Sequence, residues 1–449
     1  MSTGKLSLGT KAGFGICDLG GNLFFTAMGF WSLNYLTDTV ALPAAAAGFA
    51  IMIGKFWDAV TDPVMGYISD RTHTRLGRRR PYILFGAIPL GLTMWYFFSA
   101  PRAGMSVAAL TAWATLALCL LNTAYTIVNI PYSSLTPELT RDYNERTSLN
   151  SFRFGFAIVG TILGAAIVLP IVGMFASRAA GFSAAGLVMG LVMAVTALIT
   201  FFSVREPPHE RGDIPTEGFL GTFLSVFKNR AFVVLIFTYA LNILAINFLQ
   251  GILIYYFKYI FHAENMTTVA MVILLVIAMG FIPVSVPLSK KIGKRLTYQI
   301  GLGCIAVTCL VLYLFGHLFG LPFFFGMMSL AGIGLGLTYV APWAMVPDTI
   351  EWDAVKTGER KEGAYYGMWT FISKSGQALS IGLSGLVLNL SGYIADASQT
   401  PRVLGAIRLL IGPLPAFVFT AAIALLAAYP ITEKVYNELI AARKISAGN

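Results

Sequence analysis

Long apolar runs, separated by short polar turns rich in Lys and Arg, make up nearly the whole chain. Measured against the roughly 20 residues a helix needs to cross a bilayer's hydrocarbon core, about twelve runs qualify. Their cores fall at 13–36, 44–68, 82–100, 107–135, 151–175, 182–203, 229–257, 267–289, 297–317, 321–346, 365–392 and 407–429. The expected fold class is an all-α membrane protein, because a helix satisfies all its own backbone hydrogen bonds in lipid. The first run carries Asp18 and is too long for the apolar core of a signal peptide, so it is expected to be retained.

Composition agrees with the pattern. Of 449 residues, 57% are hydrophobic and 12% charged, against about 25% charged in soluble domains. The net charge of +10 comes from Lys and Arg clustered in short loops, which membrane topology alone requires, so no nucleic-acid partner is expected. Arg71, Arg75, Arg78, Arg79 and Arg80 follow the second run. Alternation then puts Lys5 and Lys11, Arg141 to Arg146, Arg205 to Arg230, Lys290 to Arg295, Lys356 to Lys361 and the tail with Lys434 on the same side, leaving little beyond Arg102, Arg178 and Arg402 opposite. This predicts a multi-pass membrane protein with both termini cytoplasmic.

The chain divides at its longest polar stretch. We read 1–203 as a first six-helix bundle, 204–228 as a cytoplasmic loop, 229–430 as a second bundle and 431–449 as a tail. The halves echo one another. Lys290-Lys291-Ile292-Gly293-Lys294-Arg295 stands after the eighth run as Arg75-Leu76-Gly77-Arg78-Arg79-Arg80 stands after the second. Pro131-Tyr132 through Pro137-Glu138 to Glu145-Arg146 is matched by Pro342-Trp343 through Pro347-Asp348 to Glu359-Arg360. A six-plus-six parallel repeat is the major facilitator pattern, with the substrate site near the midplane between the halves.

The candidate chemistry lies where charge enters the membrane. Asp58 and Asp62, four residues apart, share one helical face. Each intramembrane charge costs on the order of 3 kcal/mol on insertion scales, so an adjacent like-charged pair points to a bound cation or a shared proton. Pro63 deprives the Ala59 carbonyl of its helical donor, which offers a further oxygen. Asp18, Arg153 and Lys374 also fall inside runs and are expected to share the same cavity. Tyr125 and Trp369 are candidate platforms for a sugar ring, as are Tyr132, Trp343 and Tyr365. Acidic residues Asp142, Glu145, Glu351, Asp353 and Glu359 are expected to latch the cytoplasmic side against the basic loops in the outward-facing state.

Enzyme signals are weak. His73, His209, His262 and His317 lie in loops or at run ends, the four cysteines have no paired spacing, and no phosphate-binding Gly-rich Lys motif occurs. We expect neither catalysis nor a cofactor.

At these residues the chain resembles the glycoside-pentoside-hexuronide:cation symporters of the major facilitator superfamily. The resemblance rests on G-I-C-D-L-G and Y-L-T-D in the first run and W-D-A-V-T-D-P-V-M-G in the second. Y-T-I-V-N-I-P-Y-S-S-L in the fourth, S-F-R-F in the fifth and S-K-S-G in the eleventh complete it. It implies that Asp58 and Asp62 bind the coupling ion, Na⁺ or H⁺, with Thr126 beside them. It also implies that Asp18 and Arg153 contact the sugar and that Lys374 links the two sites. Thr61 and Asn129 mark departures from the family's melibiose carrier. Thr61 replaces an Asn between the carboxylates, which brings H⁺ into contention with Na⁺. Asn129 replaces a second sugar-binding Asp, which makes the pocket less negative and points to an anionic sugar such as a uronide or sulfonated glycoside. The expected function is monomeric sugar–cation symport by alternating access, with a lysolipid carrier as the other transport reading and a membrane enzyme or sensor as the non-transport one.

Overall fold

The computed structural model describes residues 6–72, 74–101, 104–140, 143–206, 225–357, 362–431 and 435, and the elements among them are helical. They form twelve segments. α1 is Leu8–Gly15 followed by Cys17–Asn34; α2 is Ala44–Arg71, α3 Arg80–Phe97 and α4 Val107–Leu139. α5 is Tyr143–Ala166 continued by Val168–Gly173, and α6 is Arg178–Ser203. α7 is Arg230–Tyr259 and α8 Met266–Ile292. α9 and α10 are the two parts of Lys294–Thr357, parted at Gly320, whose φ of 73° no continuous helix adopts. α11 is Glu362–Ser391, and α12 is Pro401–Ile411 followed by Pro413–Ala427.

Eight of the described helices are long and apolar enough to cross a membrane, α9 and α10 counting together as one. α1, interrupted at Ile16, α3, only 18 residues long, and α11, with Lys374 among Gly and Ser, complete the twelve.

Several ends differ from the expected runs. α1 starts at Leu8 and α12 at Pro401, ahead of the apolar cores at 13 and 407. In each case a hydroxyl caps the first turn: Ser7 Oγ accepts from Thr10 N at 3.1 Å and Thr400 Oγ1 from Val403 N at 3.4 Å. A capped first turn need not be apolar, so hydropathy does not see it.

Within α1–α6, α1 packs on α5 and α6, and α4 on α2 and α3; within α7–α12, α7 packs on α11 and α12, and α8 on the α9–α10 pair. Between the two sets, α2 meets α11, α5 meets α8, and α1 meets α7. Exchanging each helix for the one six later maps the first two contacts onto each other, as a parallel repeat requires.

The apolar core shows where the sets part. α1 begins and α12 ends at one end of the bundle, here the near end. At the far end one cluster runs from α1–α6 through Phe248, Tyr256, Met271, Phe324, Leu388 and Ile407 of the second set. At the near end the second set keeps its own cluster, including Phe232, Tyr298, Met345, Trp369 and Phe419. The halves are therefore fused at the far end and separate toward the near end. Gly48 of α2 and Gly385 of α11 make the fusion possible: a Cβ at Gly385 would lie 2.3 Å from the Ala44 carbonyl oxygen.

Candidate substrate and cation site

Two charged clusters lie in the cleft between the sets. The first joins α1, α4 and α5. Gly160 and Gly164 bring α5 onto α1, since a Cβ at Gly160 would lie 2.1 Å from the Leu19 carbonyl oxygen. At this distance Arg153 reaches Asp18: Nε donates to Oδ2 at 2.6 Å and Nη2 to Oδ1 at 3.3 Å. Tyr132 Oη donates to the same Asp18 oxygen at 2.6 Å, and Arg153 Nη1 donates to Thr136 Oγ1 at 2.8 Å. Arg153 therefore pairs inward and does not extend to the interface. The ion pair stays partly accessible, 21% for Arg153 and 15% for Asp18, on the near-end half of the cleft.

The second cluster joins α2, α4 and α11. Asp58 and Asp62 project from one face of α2, as their spacing predicts. Thr126 of α4 offers its single hydroxyl to both, 3.1 Å from Asp58 Oδ1 and 2.8 Å from Asp62 Oδ1. Lys374 crosses from α11 with Nζ 2.7 Å from Asp58 Oδ2 and in contact with Asp62 Oδ2 as well. Asp58 is fully buried and Lys374 nearly so. One ammonium and one hydroxyl thus serve two carboxylates, and burial makes an uncompensated negative charge costly.

The remaining expected residues are placed as follows. Thr61 Oγ1 donates back to the Asp58 carbonyl at 3.2 Å, within its own helix. Asn129 is half-buried on α4. Tyr125 is buried against Phe24, with ring centroids 4.4 Å apart, and Trp369 is buried against Tyr239 at 4.1 Å. Both aromatic faces are covered here by protein. Glu145 pairs with Lys11 at 2.9 Å, inside the first set, while Asp142 and Glu359 lie outside the described residues.

Sequence reading missed two groups. Lys55, one turn before Asp58 on α2, is 6% exposed and sits 5.4 Å from the Phe25 ring centroid. Its position inside the second apolar run was the available signal. The other is a polar cluster closing the far end. Asp38 takes Lys258 from α7 on Oδ2, with Tyr393 Oη donating to Oδ1 at 2.6 Å and Thr37 Oγ1 at 2.7 Å. Lys258 also meets Asp396 at 2.6 Å, Thr37 meets Tyr255 Oη at 2.7 Å, and Arg178 meets Glu264 at 2.6 Å. These contacts join the two sets of helices.

A helical bundle split at one end, sealed at the other, and crossed at mid-depth by buried charges from both sets has the architecture of a secondary transporter. The sequence matches the family described as MFS/sugar transport protein over residues 13–433. The chain belongs to that family: it is a sugar symporter of the major facilitator superfamily, and not an enzyme. Among its relatives is a Synechocystis symporter, sll1374, at 30% identity over 98% of this chain and 97% of its own length. The glucuronide carrier protein homolog of Escherichia coli is 29% identical over 97% and 95%, and the isoprimeverose transporter of Lactiplantibacillus pentosus 28% identical over 88% and 83%. The nucleoside transporter NupG shares the fold with a TM-score of 0.64 at 14% identity, covering 93% of this chain and 98% of its own. A bacterial homolog of the lysosomal transporter Spinster, solved in an inward-facing, unoccupied conformation, matches with a TM-score of 0.64 at 13% identity over 97% and 96%.

Proposed function

We propose that the chain takes up an anionic sugar, of the uronide or sulfonated-glycoside kind, together with Na⁺ or H⁺. It would do so across a bacterial inner membrane, as a monomer with both termini in the cytoplasm. The observation that carries this reading is Lys374 Nζ lying against both Asp58 and Asp62. A side-chain ammonium stands where a coupling cation would balance the same two carboxylates. With the near end cytoplasmic, the conformation corresponds to an inward-facing carrier.

The residues divide the work. A coupling ion taken by Asp58, Asp62 and the Thr126 oxygen displaces Lys374, and the freed ammonium then faces the cleft as a partner for a negatively charged sugar. Each ligand favours the other because both require Lys374 to leave the carboxylates, and the linkage is reciprocal. The Asp18–Arg153 pair, partly exposed on the same cleft, supplies carboxylate and guanidinium groups to hydroxyls. The name of the glucuronide carrier homolog supports an anionic substrate.

The test is sugar-driven cation uptake in proteoliposomes, across a panel of neutral glycosides, uronides and sulfonated glycosides, with and without Na⁺ at fixed pH, for wild type and Asp58→Asn. We expect a uronide or sulfonated glycoside to drive cation entry in wild type and not in the variant. Uptake driven only by neutral glycosides would overturn the anionic reading. Sugar-coupled uptake that survives in Asp58→Asn would remove the carboxylates from the ion site.

A further inference from the structure

Arg408 lies within the last expected apolar run, and neither the cleft nor the far-end cluster uses it. It stands on α12 about two turns after Pro401, roughly 10 Å in from the far end of the helix. Its side chain lies across α9 instead of turning up to that end. Nη2 donates to the Tyr313 carbonyl at 3.0 Å, and the guanidinium is 5.2 Å from the Tyr313 ring centroid. Gly412 lets α12 press on α9 here, since a Cβ there would lie 2.5 Å from Tyr313 Cβ.

A charge at membrane depth is expected to have a counter-charge. Among the described residues no carboxylate pairs with Arg408, and its Nε is buried without a hydrogen-bond partner. A second unpartnered donor lies nearby. Tyr256 of α7 is fully buried and its Oη has no partner, although Arg408 is within electrostatic reach. Gly316 of α9 makes room for it, because a Cβ there would lie 2.9 Å from Tyr256 Oη. His317, the next residue and exposed, is in reach of Arg408 as well.

The surface leading to these donors is apolar. Val307, Leu310 and Leu314 are exposed and share with His317 one face of α9, at helical spacings that run from the donors toward the midplane. Hydrocarbon fills about 30 Å of a bilayer that is about 40–45 Å thick, so a group roughly 10 Å from the helix end lies a few ångströms below the headgroups. A guanidinium short of an anion at this depth, at the head of an apolar stripe, matches a phosphate that carries acyl chains. A soluble anion would use the donors and leave the stripe bare.

We propose that the far-end groove between α9 and α12 binds an anionic phospholipid. Its phosphate is held by Arg408 with His317 at the rim, and its acyl chains lie along Leu314, Leu310 and Val307. Phosphate supplies the acceptor that the guanidinium lacks, in a pairing that suits its planar fork. The site is separate from the cleft and does not depend on which sugar or ion the carrier takes.

Native mass spectrometry of the purified full-length protein in uncharged detergent, titrated with phosphatidylglycerol or phosphatidylcholine, tests this in wild type, Arg408→Gln, Arg402→Gln and His317→Glu. We expect wild type to bind one phosphatidylglycerol more tightly than any phosphatidylcholine. Arg408→Gln should weaken that binding by at least about tenfold, the loss of a hydrogen bond to a charged group. Arg402→Gln, which removes an exposed charge from the start of the same helix, should leave it unchanged. His317→Glu sets a carboxylate near Arg408 to compete with phosphate; it should also weaken binding, and it carries the test if Arg408→Gln does not fold. Unchanged affinity in folded Arg408→Gln, or in His317→Glu should the Gln variant not fold, would reduce Arg408 to a tether between α9 and α12. An equal loss in Arg402→Gln would mean general attraction to a basic chain, and displacement of the lipid by an equal concentration of inorganic phosphate would remove the acyl chains from the site; either result would overturn the proposal.

Discussion

Asp58 and Asp38 are both buried carboxylates of the first helical set paired with a lysine of the second, yet their surroundings differ. Asp38 is oversupplied: Lys258, Tyr393 and Thr37 all point at its two oxygens, with Tyr259 at 3.4 Å, and Lys258 is shared with Asp396. Asp58 shares one ammonium and one hydroxyl with a second carboxylate, Asp62. A carboxylate whose lone pairs are filled by fixed donors gains nothing from an added ion, so the far-end cluster acts as a latch. A carboxylate pair that shares one ammonium and one hydroxyl would accommodate a cation by moving that lysine, so we propose that the midplane cluster acts as a switch. Counting donors per carboxylate separates the two roles, which charge and depth alone do not.

The comparison breaks most sharply at Lys374. Lys374→Ala leaves two buried carboxylates without their ammonium, and breaking such pairs costs about 3–5 kcal/mol. Coupled sugar uptake should fall by at least about a hundredfold while the protein still binds the coupling ion, measured as initial uptake rate against ion-protected thermal stability. Near-normal uptake would show that the lysine is a spectator.

At the latch the effect should be on conformation. Asp38→Asn keeps the shape of the donor shell but removes its charge, and should raise the far-end-open population by about tenfold. Labelling of a cysteine introduced at Gln250, which lies on α7 below the latch, by a membrane-impermeant thiol reagent reads that population directly. Unchanged labelling would mean the apolar core alone holds the far end shut.

The smallest effects sharpen the switch. Thr126→Val removes the hydroxyl that both carboxylates share and should weaken ion dependence by roughly tenfold, about one lost charge-assisted hydrogen bond. Thr61→Ala should change it by less than about twofold, because the Thr61 hydroxyl is spent on its own helix. The reverse order would move the ion site along α2 toward Thr61.

The switch was legible in the sequence and the latch was not. Asp58 and Asp62 stand out because two carboxylates in an apolar run at a helical spacing have no cheap explanation, and Lys374 and Arg153 stand out by depth. Asp38, Lys258, Arg178, Glu264 and Asp396 all lie at helix ends or in the turns between helices, where charge is ordinary and carries no signal until the fold brings them together. Lys55 was visible inside the second run but reads as one more polar interruption until the fold places its ammonium against the rings of Phe24 and Phe25. Ile16 and Gly412 interrupt helices whose hydropathy is continuous, so the breaks in α1 and α12 left no trace in the pattern.

The central claim is that the carboxylate pair exchanges Lys374 for the coupling ion and thereby controls the sugar site. The most direct measurement is sugar affinity by calorimetry with and without saturating coupling ion, in wild type and in Asp62→Asn. The account predicts an affinity that rises about tenfold or more with the ion in wild type and does not respond to it in the variant. An ion response of equal size in both would contradict it.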